Sequence, residues 1–146
     1  MTYVTVNGTA AYNRAKYKPH DKTLLRIARN THNAAANVVA AASIVNMVTI
    51  PANSVLVGAW AEILVDSAAA DVEMDLGLAG GTEFDASFES NQAAGTITSP
   101  EADDNCTFVR AANQVTLVPT NSLEWNTGTI QVTACWIELD SLGAAG

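Results

Sequence analysis

Residues 55–65, VLVGAWAEILV, constrain the fold more than any other stretch of the chain. Their side chains alternate with the period of two that belongs to a β-strand. Val55, Val57, Ala59, Ala61, Ile63 and Val65 make one face without a polar break. Leu56, Trp60 and Leu64 dominate the other, with Gly58 and Glu62 between them. The first face belongs against a core. The second is too apolar for open solvent, so the fold itself or a neighbouring subunit must cover it. Leu56, Trp60 and Leu64 are therefore candidate subunit-interface residues.

The rest of the chain repeats this pattern in shorter pieces. In DVEMDLGL, residues 71–78, Val72, Met74, Leu76 and Leu78 point one way and Asp71, Glu73 and Asp75 the other. Further strands are expected from Thr23, over 44–50, and near 83–88, 95–98, 106–110, 114–118 and 129–139. In TIQVTACWIEL, residues 129–139, the apolar phase slips near Trp136 and Ile137, which predicts a bulge or burial of both faces. Residues 34–43 mix alanines with β-branched residues and read as a loop or short turn leading into a strand. Pro51-Ala52-Asn53-Ser54 and Gly80-Gly81 are turn signals. About eight to ten short strands separated by turns, with no βαβ alternation, predict an all-β single domain of the β-sandwich or jelly-roll type. A chain of 146 residues can bury a core of that kind without disulfides or metal.

Charge divides the chain. Residues 1–32 hold Arg14, Lys16, Lys18, Lys22, Arg26 and Arg29 against Asp21, a sum of +5. Residues 33–146 hold Arg110 against fourteen acids, −13, and together these give the net −8. Asymmetry of this kind marks an arm with its own partner. The expected layout is a basic arm over 1–22, a β-sandwich over 23–140 and a flexible tail over 141–146. No charged start is followed by an apolar run, and no stretch approaches the roughly 18 apolar residues of a membrane span. Synthesis in a cytoplasm and reduced, buried Cys106 and Cys135 are the matching expectations.

The run IPANSVLVGAWAEILV, the Ala-rich turn after it, DVEMDLGLAGGTEFDASF and a later Thr/Val-rich strand after Thr127-Gly128 resemble small jelly-roll virion proteins of tailed bacteriophages. These decorate or cement phage heads, or form the base of head and tail fibres. The resemblance covers about residues 44–140. It implies a non-enzymatic structural protein on the exterior of the capsid, assembled in the host cytoplasm. It also implies a homotrimer whose partner is the major capsid protein, with no cofactor, nucleic acid or membrane involved.

The arm lies outside the resemblance. If extended, it sets Tyr12, Arg14, Lys16 and Lys18 on one side, with Tyr17 interleaved. Basic residues among aromatics suit nucleic acid, but a −13 body opposes docking there. The arm can instead reach an acidic capsid surface, wrap an adjacent subunit, or serve only solubility.

Other constellations have plainer readings. Asp71, Glu73 and Asp75 could hold a hard cation or serve glycoside hydrolysis, but a solvated outer face is the favoured reading. Their metal occupancy stays open. His20 and His32 lack metal-ligand spacing. Trp60 and Trp136 suit a core or subunit interface. Trp125, in NSLEWNTG, is a candidate partner or glycan contact, which keeps open a receptor-binding module.

Overall fold

The computed structural model describes residues 25–67, 72–98 and 106–139. The basic arm, with Tyr12, Arg14, Lys16, Tyr17, Lys18 and His20, lies outside them, as do Asp71 and the tail. Eight strands are present: β1 (Leu25–Asn33), β2 (Val45–Ile50), β3 (Ser54–Val65), β4 (Glu73–Leu78), β5 (Asp85–Glu89), β6 (Thr107–Val109), β7 (Asn113–Pro119) and β8 (Thr129–Glu138). They form two antiparallel four-stranded sheets, ordered β1-β8-β3-β6 and β2-β7-β4-β5. Pairing first with last and second with seventh is jelly-roll connectivity, so the all-β sandwich is as expected. Residues 95–98 make only one bridge, Glu62 to Ile97, instead of a strand.

The inner faces explain why this sequence closes. Register places Ala28, Ala134 and Ala59 in one row of the first sheet, and Asn30, Val132 and Ala61 in the next. Small side chains there leave room for larger ones opposite. Those are Ile50, Met74, Leu76, Val115 and Leu117 of the second sheet, all buried. Removing such side chains from water is the main force for folding, at about 25 cal/mol per Å² of apolar surface.

The expected slip near Trp136 has a different seat. In β8 the alternation runs unbroken through Ile130, Val132, Ala134 and Trp136, all buried. The irregularity lies opposite, in β3, where Leu56 pairs with Trp136 and Gly58 with Cys135, leaving Val57 as the extra residue. That bulge reverses the phase of β3. Leu56 therefore points inward at 1% exposure, with Ala59, Ala61 and Ile63 continuing the core face beyond the bulge. Val55 and Val57 fall on the outer side with Trp60 and Leu64. Grouping Leu56 with an outer face is thus corrected: a strict period of two does not survive the bulge.

Turn chemistry follows the residue types. Asn33 ends β1 and its Oδ1 accepts from Ala35 N at 3.0 Å and Ala36 N at 3.3 Å, folding 34–37 into a turn. Asn53 takes a left-handed φ of 56° in the turn before β3, a conformation asparagine tolerates.

Candidate assembly surface

The outer face of the β1-β8-β3-β6 sheet is the surface that asks for an explanation. Cross-strand register sets Leu25, Ile137, Val55 and Phe108 side by side across all four strands. The next row holds Ile27, Cys135 and Gly58, with Val57 bulging beside them. Arg29, Thr133 and Trp60 form the third row, and Thr31, Gln131 and Glu62 the fourth. Ile27 is 60% exposed and Phe108 49%, far more than side chains of that size keep inside a closed sandwich. The Arg110 guanidinium lies 5.6 Å from the centre of the Phe108 ring, a cation–π distance. Leu64, 37% exposed, continues the outer side of β3 towards its end. At the opposite end, Arg26 Nε approaches Glu138 Oε1 at 3.5 Å.

Both cysteines belong to this region. They are free, as expected, but not buried: Cys106 is exposed and Cys135 half-buried. Cys135 faces Gly58, and Cys106 directly precedes the strand paired beside β3. Desolvation raises the Cys135 thiol pKa; a backbone hydrogen bond from Gly58 opposes the rise and nearby Cys106 adds to it. A raised pKa leaves less thiolate at a given pH, and the thiolate is the nucleophile. At mildly alkaline pH, Cys106 should therefore be alkylated first and Cys135 severalfold more slowly. Mass spectrometry of partially alkylated protein reads that order, and equal rates would contradict it.

The second sheet has the opposite character. On its β4–β5 edge Glu73 stands directly across from Glu89, a like-charge pair that disfavours the sheet by itself. Asp75 Oδ1 accepts from Ser87 N at 2.9 Å, so it is engaged in holding that edge. Glu83 lies in the connecting loop. The described Arg residues, Arg26, Arg29 and Arg110, all belong to the first sheet or its border. Among the described residues, no three His, Cys, Asp or Glu side chains gather as a metal-binding group.

Trp125 departs from its expected place. It is 0% exposed, the largest fully buried side chain. Its backbone exchanges two hydrogen bonds with Val39, N to O at 2.8 Å and O from N at 2.9 Å. The His32 ring lies against its indole with centroids 4.9 Å apart, and His32 Nε2 meets the Asn37 carbonyl oxygen at 2.8 Å. Trp125 thus clamps the 34–39 turn to the sandwich and cannot touch a glycan. His32 supports that clamp. Trp136 is also buried, and its Nε1 donates to Glu138 Oε1 at 3.4 Å.

A chain in the capsid of Ralstonia phage GP4 superposes with a TM-score of 0.60 at 18% identity, over 79% of this chain and 84% of that one. A chain in the acid-stable capsid of Helicobacter pylori bacteriophage KHP30 gives 0.58 at 11% identity, over 79% and 88%. One in the capsid asymmetric unit of cyanophage Pam1 gives 0.53 at 12% identity, over 80% and 86%. The chain shares its fold with these three capsid chains. No protein-family model and no curated protein matches the chain. The likeness therefore resides in three-dimensional connectivity, not in a residue motif.

Proposed function

We propose that this chain is a structural virion protein that binds the outside of a phage capsid as a decoration or cement protein and stabilises the shell. It would work as a homotrimer on the major capsid protein, after assembly in the bacterial host cytoplasm. One observation carries this reading: the jelly roll is shared, over about four fifths of the chain, with chains from three phage capsid structures. The charge layout supports it. An acidic second sheet keeps a decorated particle soluble, while the basic residues lie on the first sheet's side and in the arm that leads into β1. A receptor-binding module has lost its candidate contact, because Trp125 is buried.

In this reading the arm residues Tyr12, Arg14, Lys16, Tyr17 and Lys18 dock on an acidic surface of the shell or of a neighbouring subunit. Each exposed ion pair contributes about 0.2–1 kcal/mol. With Arg14, Lys16, Lys18 and Lys22 engaged, deleting residues 1–22 should weaken binding by about 1–4 kcal/mol, roughly fivefold to several hundredfold. Co-sedimentation with undecorated shells at low and high salt measures this. The intact protein should lose affinity as salt rises, and the truncated protein should change little. Truncated protein that saturates shells with unchanged affinity removes the arm from the mechanism.

A further inference from the structure

We infer that the outer face of the β1-β8-β3-β6 sheet is where copies of this chain meet one another, with Leu25, Ile27, Val55, Phe108 and Ile137 at the centre of the contact. The inference rests on the multi-copy reading above and assigns its self-interface. The face is an apolar plane across four strands, roughly 15–20 Å wide at the usual strand spacing. Monomeric soluble proteins rarely leave so continuous an apolar surface uncovered.

Charge identifies the occupant. Two copies meeting through the second sheet would bring Glu73, Asp75 and Glu89 of one against the same residues of the next. The first-sheet face instead carries Arg29 and Arg110 with Glu62, a mixed set around an apolar centre. Identical molecules can therefore share this face while their acidic sheets stay far apart. The chain's own arm fits poorly, because Arg14, Lys16 and Lys18 would be brought onto Arg29 and Arg110. The arm joins β1 at Leu25, inside the first apolar row, so every copy's arm would depart from beside the shared face. Gathering arms in this way raises their effective concentration on one shell site.

Light scattering on the purified full chain at tens of micromolar tests the proposal. Wild type should run at a multiple of its 15.2 kDa mass. Ile27→Asp and Phe108→Asp, at exposed positions on the face, should run at the single mass and still unfold cooperatively, at a melting temperature that no longer depends on protein concentration. Ile44→Asp, equally exposed but outside the rows, should remain assembled. If either Asp variant does not fold, Ile27→Thr and Phe108→Thr should raise the dissociation constant at least about tenfold. Cys135 gives a second readout, since its alkylation should quicken about twofold or more in a dispersed variant while staying slower than that of Cys106. A monomeric wild type, or face variants that keep the wild-type mass, overturns the inference. An oligomer that ignores shells would sink the capsid reading and leave this one standing; a monomer that decorates shells would do the reverse.

Discussion

Trp125→Ala should lower stability by about 3–5 kcal/mol, the usual range for emptying a buried aromatic site. That is a large part of the roughly 5–15 kcal/mol that holds a domain of this size together. The loss should be at the upper end, because the indole is fully buried. It lies against the His32 ring, on a segment tied by two backbone hydrogen bonds to Val39, just beyond the 34–37 turn. Removing it leaves a cavity and frees the turn at once. A melting temperature lower by roughly 10–20 °C follows from the entropy of unfolding at this chain length. Trp125→Phe is the informative partner. Among the described residues, the buried indole Nε1 has no hydrogen-bond acceptor, so phenylalanine removes an unmatched donor while keeping most of the ring. Its cost should stay below about 2 kcal/mol. Calorimetry of the three proteins checks the order. An alanine variant that melts with wild type would show that the clamp does not matter. Any loss of binding in Trp125→Ala reports this destabilisation rather than a severed glycan contact.

What the sequence revealed and what it hid have physical reasons. Local alternation identified β3, β4 and β8, because a strand half-buried in a sandwich repeats its environment every second residue. The spacing of turn residues led to the sandwich. The bulge at Val57 stayed hidden because it swaps faces within a run where every candidate is apolar; Gly58 was its single local sign. Ile137 suggested a slip in β8, yet it simply sits on the outer face beside Leu25 and Val55. Trp125 misled because polar neighbours surround it in the chain, while its contacts, Val39 and His32, are remote in sequence. The apolar row was legible only in fragments. Leu25, Val55, Phe108 and Ile137 become one surface through pairing across four strands, which no local window contains. Trp60 and Leu64 were correctly set on the outer side; Leu56 was lost to the bulge.

The same small change at two strand glycines should have opposite results. Gly77 in β4 lies beneath the turn that follows it. A Cβ there would collide with the carbonyl of Gly81 and come within 2.6 Å of Thr82 N. These are backbone atoms and cannot swing aside. The turn is also held in place, by Gly81 N donating to Leu78 O at 2.9 Å and Gly80 N donating to Thr116 Oγ1 at 2.8 Å. Thr116 is buried and donates in turn to Gly77 O at 3.2 Å, so displacing the turn leaves interior polar groups unmatched. Overpacking costs about 1–3 kcal/mol, and orphaning a buried hydrogen-bonding group adds about 1–3 more. Gly77→Ala should therefore cost about 3–5 kcal/mol. At Gly58 a new Cβ meets nothing within 4 Å, and the residue lies in a strand with no left-handed φ. Gly58→Ala should be neutral or stabilising by up to about 1 kcal/mol, because it narrows the unfolded ensemble. Urea denaturation of both variants separates the two effects. A Gly77→Ala protein with the wild-type midpoint would mean that the β4 turn has room to move, and that the glycine there answers to something other than close approach.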